Sequence, residues 1–71
     1  MEKEDLQKFI NEKEREKEDY EDRIDFFQDL LKRGELAGKN RVDAEMNIVE
    51  WKEYIRDINN ELVFLYYLMN S

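Results

Sequence analysis

The placement of helix-breaking residues constrains this chain more than any other feature. The 71-residue sequence contains no proline, and its two glycines, Gly34 and Gly38, lie close together near the middle. Proline breaks a helix, and an interior glycine costs about 1 kcal/mol relative to alanine. Two long stretches on either side of one break therefore predict an all-α chain with two long helices.

Both stretches repeat apolar residues at alternating steps of three and four, which is the pattern of a coiled-coil seam. In the first stretch Lys13 and Lys17 complete the series. The apolar seam residues are Leu6, Ile10, Tyr20, Ile24, Phe27 and Leu31 in the first stretch, and Ala44, Ile48, Trp51, Ile55, Ile58, Leu62, Leu65 and Met69 in the second. Beyond Leu31 the first series would fall on both glycines, so its helix is expected to end there.

An antiparallel helical hairpin of the coiled-coil type accounts for both seams. The expected bounds are helix 1 over about 2–33, a loop over 34–39 and helix 2 over about 40–69, in a single domain over 1–71. Gly34 suits the left-handed residue that follows a helix, and Asn40 suits the N-cap of the next one.

Pairing Leu31 with Ala44 beside the loop aligns eight antiparallel layers without a slip. In this register each large aromatic seam residue, Phe27 or Trp51, faces an isoleucine. Lys13 and Lys17 are expected to lay their methylene stems over the seam and to carry their ammonium groups toward Asp57 or Glu61.

A second set of apolar residues is left outside the seam, and it includes half of the apolar block Leu62–Met69. The set consists of Phe9, Phe26, Leu30, Val42, Met46, Val49, Val63, Phe64, Tyr66 and Tyr67. Exposed apolar patches of this extent mark interaction sites. We therefore expect another chain to cover them, either in a homodimer that forms a four-helix bundle or with a different protein.

The side chains that carry most enzyme chemistry are nearly absent. The chain has no histidine, cysteine or threonine, and its only serine is Ser71. This excludes imidazole and thiolate catalysis and the usual zinc ligands. No phosphate-binding or calcium-binding motif occurs either. We expect no enzyme activity, no catalytic, metal-binding or cofactor-binding residues, and no cofactor.

The chain is acidic, with 19 acidic residues against 12 basic ones and a net charge of -7. This balance opposes direct contact with nucleic acid and permits a partner with a basic surface. Seven carboxylates of helix 1 could instead imitate a row of phosphates. They belong to Glu12, Glu14, Glu16, Glu18, Asp19, Glu21 and Asp22.

The sequence thus favours a small acidic regulatory or adaptor protein that acts by protein–protein interaction as a homo-oligomeric helical bundle. Two alternatives remain: an inhibitor that mimics nucleic acid and blocks a basic DNA- or RNA-binding protein, and a structural or assembly subunit that docks through helix 2. The charged N-terminus offers no apolar region of a secretory signal, and no apolar run approaches the roughly 20 residues that span a bilayer. A cytoplasmic protein without membrane contact is expected.

Overall fold

A computed structural model describes residues 2–71 as two α-helices that pack against each other in antiparallel orientation. Helix α1 spans Lys3–Lys32 and helix α2 spans Gly38–Met69. The hairpin is a rod with extents of 50 × 14 × 14 Å, and no strand occurs among the residues described. The prediction of an all-α helical hairpin is confirmed, while residue 1 of the predicted domain lies outside the described residues.

Helix α1 ends in a Schellman motif. The backbone N–H of Gly34 donates to the carbonyl of Leu31, and the N–H of Glu35 donates to the carbonyl of Leu30, each at 3.1 Å. Gly34 has a φ of +71°, which glycine adopts without the clash that a Cβ atom would cause. This is the conformation that the sequence indicates for Gly34, and it turns the chain back toward α1.

Helix α2 begins two residues before the predicted start. Ala37 is the N-cap residue, with φ -136° and ψ 158°, and its side chain makes no capping hydrogen bond. Asn40 therefore lies inside the first turn, and the interpretation of Asn40 as the N-cap is wrong. An asparagine cap is worth only about 1 kcal/mol, and Gly38, with a φ of +59°, lets the chain enter the helix earlier.

The core is the seam between the two helices. Its buried side chains are Leu6, Ile10, Ile24, Ala44, Ile48, Ile58, Leu62 and Leu65. Five of these form one cluster at the end of the rod away from the loop, and Ile10 at its centre is only 1% exposed. The C-terminal apolar block therefore contributes one of its faces to this cluster.

The other seam positions are half-buried, because a single neighbouring helix covers only one side of each. They are Lys13, Lys17, Tyr20, Phe27, Leu31, Trp51, Ile55 and Met69. Phe27 and Trp51 contact each other, with ring centres 5.5 Å apart, and Phe26 meets Phe27 edge to face at 5.3 Å. The expectation that Phe27 and Trp51 face aliphatic residues instead of each other is wrong, since large rings reach the adjacent layer.

Candidate protein-interaction surface

Lys13 joins the two helices at the edge of the seam. Its Nζ atom lies 2.8 Å from the carboxylate of Glu61 on α2, and 5.7 Å from the ring centre of Phe9. The hydrogen bond to Glu61 is the main reason why the pKa of Lys13 lies above its ordinary value, although partial burial opposes this shift. Lys13 thus contacts Glu61, one of the two acidic residues expected to lie near the lysines. Lys17 instead lies 3.9 Å from Glu21 within α1.

The seven carboxylates expected to mimic phosphates are exposed, but they do not form one row. Successive residues of a helix are about 100° apart, so these side chains spread over roughly 200° of the circumference of α1. Glu16 and Glu21 pair with lysines of the same helix. Glu14 accepts a hydrogen bond from the hydroxyl of Tyr66 on α2, which raises the pKa of Tyr66.

The structure leaves most of the second apolar set in solvent. The exposed members are Phe9, Phe26, Val42, Met46, Val49, Val63, Phe64, Tyr66 and Tyr67, whereas Leu30 is half-buried. On α1, Phe9 lies beneath the Lys13 ammonium and Phe26 packs on Phe27. The members on α2 make fewer side-chain contacts. Among the residues described, Tyr66 is the one member of the set on α2 whose side chain hydrogen-bonds to α1.

Tyr54 is an exposed aromatic residue that the sequence interpretation omitted. Its ring centre lies 5.5 Å from that of Tyr20, and its hydroxyl donates a hydrogen bond to Glu50, which raises the pKa of Tyr54. The predicted register contained a signal for this contact, because it placed Tyr20 opposite Ile55, the immediate neighbour of Tyr54.

Five of the exposed apolar residues of α2 belong to a stripe along the helix that we call the outer stripe. Its eight residues follow the same alternation of four and three steps as the seam: Val42, Met46, Val49, Glu53, Arg56, Asn60, Val63 and Tyr67. All eight are exposed, with Met46, Val63 and Tyr67 at 65%, 69% and 70%. At about 100° per residue, the stripe lies roughly 150° around α2 from the seam. Near the loop, Val42, Met46 and Val49 border a shallow groove.

The surface of the rod is large for its mass. Its accessible area is 5724 Å² for 8.8 kDa, whereas a compact monomer of this mass exposes about 4,800 Å². The excess of roughly 900 Å² is close to the area of about 800 Å² that one partner buries in an ordinary protein interface. A second protein seated on the rod would therefore bring the exposed area into the usual range.

Other kinds of site find less support in the structure. Within residues 2–71, no group of three or more acidic side chains is arranged to hold a metal ion. Across the same residues, neither helix has a stretch long and apolar enough to pass through a membrane. Comparison with protein families, with characterised proteins and with solved structures gives no match for this chain.

Proposed function

We propose that this protein is a non-enzymatic regulator or adaptor that acts by protein–protein interaction, as a homodimer of helical hairpins in a four-helix bundle. The outer stripe of α2 is the observation that carries the proposal. Large apolar side chains such as Met46, Val63 and Tyr67 remain exposed to solvent even though α1 and α2 already pack along the seam. Covering them releases ordered water and provides the driving force for association.

The dimer leaves an acidic surface on each α1 helix for a further partner. The net charge of -7 per chain and the exposed carboxylates of α1 favour a protein with a basic surface, because complementary potentials speed encounter and select the partner. Phe9 and Phe26 remain exposed on the same helix and supply apolar contacts beside these charges.

Sedimentation equilibrium of the full chain over a wide concentration series tests the homodimer. We expect a dimer that dissociates on dilution. Tyr67→Glu places a charge within the outer stripe and should shift the protein to monomer, whereas the matched control Gln28→Glu adds the same charge at an exposed position of α1 and should leave the dimer intact. A wild-type protein that stays monomeric throughout the series would overturn the homodimer proposal.

A nucleic-acid mimic is a second candidate, and the exposed carboxylates of α1 favour it. Their spread around the helix, and the lysine partners of Glu16 and Glu21, weaken the resemblance to a phosphate row. A basic DNA-binding domain bound to labelled duplex DNA provides the probe. The mimic is supported if the protein displaces the DNA, if this displacement weakens steeply as salt rises, and if charge reversal at Glu14 and Glu18 abolishes it. A protein–DNA complex that stays intact rules out the mimic.

A further inference from the structure

We infer that the outer stripe of α2 pairs with the same stripe of a second copy in antiparallel orientation, so that Glu53 of each chain meets the partner's Arg56. This inference rests on the proposed homodimer and specifies its surface, its orientation and its register. It starts from the arrangement of side chains along α2, where the two ends of the stripe are apolar and the centre is charged.

The alternating spacing of the outer stripe is that of a second coiled-coil seam, on the side of α2 that faces away from α1. Near the loop it presents Val42, Met46 and Val49, and near the C-terminus Val63 and Tyr67. Between these ends lie Glu53, Arg56 and Asn60. A partner that fits this surface must therefore be apolar at both ends and must carry opposite charges at its centre.

A second copy has these properties when it runs antiparallel. A two-fold axis between positions 53 and 56 sets Val42 against the partner's Tyr67 and Met46 against the partner's Val63. It also brings Glu53 against the partner's Arg56, and the symmetry repeats each contact once. The eight layers then hold four apolar pairs at the ends and two ion pairs at the centre. The remaining two layers match Val49 with the partner's Asn60.

Other arrangements of two identical stripes lose this match. A parallel pair sets Glu53 against the partner's Glu53 and Arg56 against the partner's Arg56, and like charges facing each other are repulsive. An antiparallel pair shifted by one heptad sets Glu53 against an apolar residue, Val49 or Val63 of the partner, which leaves a carboxylate without a counter-charge in the contact. Charge complementarity between Glu53 and Arg56 within the stripe thus selects one orientation and one register.

The resulting dimer is a flattened bundle with both α2 helices in the middle. Because the outer stripe lies roughly 150° around α2 from the seam, each α1 is held on the outside and keeps its acidic surface free. The C-terminal apolar block then serves two helices: Leu62 and Leu65 contact α1, while Val63 and Tyr67 meet the partner's α2. This arrangement accounts for apolar residues on two opposite faces of α2 near the C-terminus.

Charge reversal at the two central positions tests the register. Glu53→Arg places positive charges against each other at the centre, and Arg56→Glu places negative ones. We expect each single variant to raise the dissociation constant of the dimer about tenfold or more, as for close charge pairs in other interfaces. The double variant Glu53→Arg/Arg56→Glu restores complementary pairs and should return close to wild-type affinity, as should a mixture of the two single variants.

These outcomes separate the inference from the homodimer proposal itself. If wild-type protein dimerises and both single variants dimerise equally well, the proposed register is overturned while the homodimer stands. If wild-type protein does not dimerise, both fail. A single variant that loses helicity on its own is still informative when it is mixed with the other single variant. Recovery of the dimer and of helicity in the mixture supports the charge pairing, and absence of recovery contradicts it.

Spin-label distances test the orientation independently. The chain contains no cysteine, so Lys39→Cys introduces one labelling site at an exposed position near the loop. In the antiparallel register position 39 lies opposite the partner's position 70, so the two labels should be about 45 Å apart at 1.5 Å per residue. A parallel dimer would instead bring them within about 20 Å, given helix spacings of 8–10 Å, and would overturn the inference.

Discussion

Lys13 and Lys17 occupy seam positions whose other members are all apolar. Lys13 adapts by reaching sideways to Glu61, so its stem covers the core while its charge stays at the edge. Such a partly exposed ion pair adds at most about 1 kcal/mol, and the ammonium group loses part of its hydration in return. The lysine therefore contributes less to stability than an apolar residue of similar volume could at the same position.

Replacing this side chain tests that balance. Lys13→Leu should raise the free energy of unfolding by about 1 kcal/mol, because an additional aliphatic group is buried against the cluster around Ile10 and Leu62. Urea denaturation at a fixed protein concentration measures the change. Lys8→Leu is the matched control at an exposed position of the same helix and should leave stability within about 0.5 kcal/mol of wild type. A less stable Lys13→Leu protein would show that the ion pair with Glu61 outweighs packing.

At the scale of the helices, periodicity and glycine positions were sufficient to predict two helices and the turn at Gly34. The two helices follow from an apolar repeat that extends over some 30 residues of each one. The turn follows from a left-handed backbone conformation that favours glycine. The start of α2 depends on the small differences between capping residues, and tertiary geometry readily overrides them. The sequence therefore placed it at Asn40, two residues too late.

The side-chain contacts that were missed have a different cause. Phe27 touches Trp51, and Tyr54 touches Tyr20, although the layer pattern placed none of these residues opposite each other. A layer pattern specifies which Cα positions face one another, whereas an aromatic ring extends far enough to contact the next layer. The position of Val42, Met46, Val49, Val63 and Tyr67 outside the seam, in contrast, followed from the pattern alone, because a helix in a hairpin can turn only one face to its neighbour.

The start of α2 also offers a way to stabilise the hairpin. Ala37 has the extended backbone of an N-cap residue but no side chain that can accept a hydrogen bond, and the first turn of α2 contains no acidic residue. Ala37→Asp should raise the free energy of unfolding by about 1 kcal/mol, through a bond to a free backbone N–H and attraction to the helix dipole. Ala37→Glu adds the same charge with poorer capping geometry. In urea denaturation it should stabilise less, and equal effects would assign the gain to charge alone.

At the scale of the whole molecule, the apolar stripe and the net charge oppose each other. Two chains of charge -7 repel at long range, while the contacts of the outer stripe act only after the surfaces meet. Glu50 and Asp57, which flank the centre of the stripe, add to this repulsion in the inferred dimer. The two Glu53–Arg56 pairs attract at short range, where dissolved salt screens them less than it screens distant charges.

This balance predicts that added salt strengthens the homodimer. Raising sodium chloride from about 0.01 M to 0.3 M shortens the screening length from about 30 Å to below 10 Å, and we expect the dimer dissociation constant to fall several-fold. Sedimentation equilibrium at each salt concentration measures it. Glu18→Lys, an exposed change on α1, lowers the net negative charge by two units and should flatten the dependence. Binding of a basic protein should weaken over the same range, because salt screens an attraction there. A homodimer that dissociates as salt rises would instead mean that the central ion pairs dominate over the repulsion between the chains.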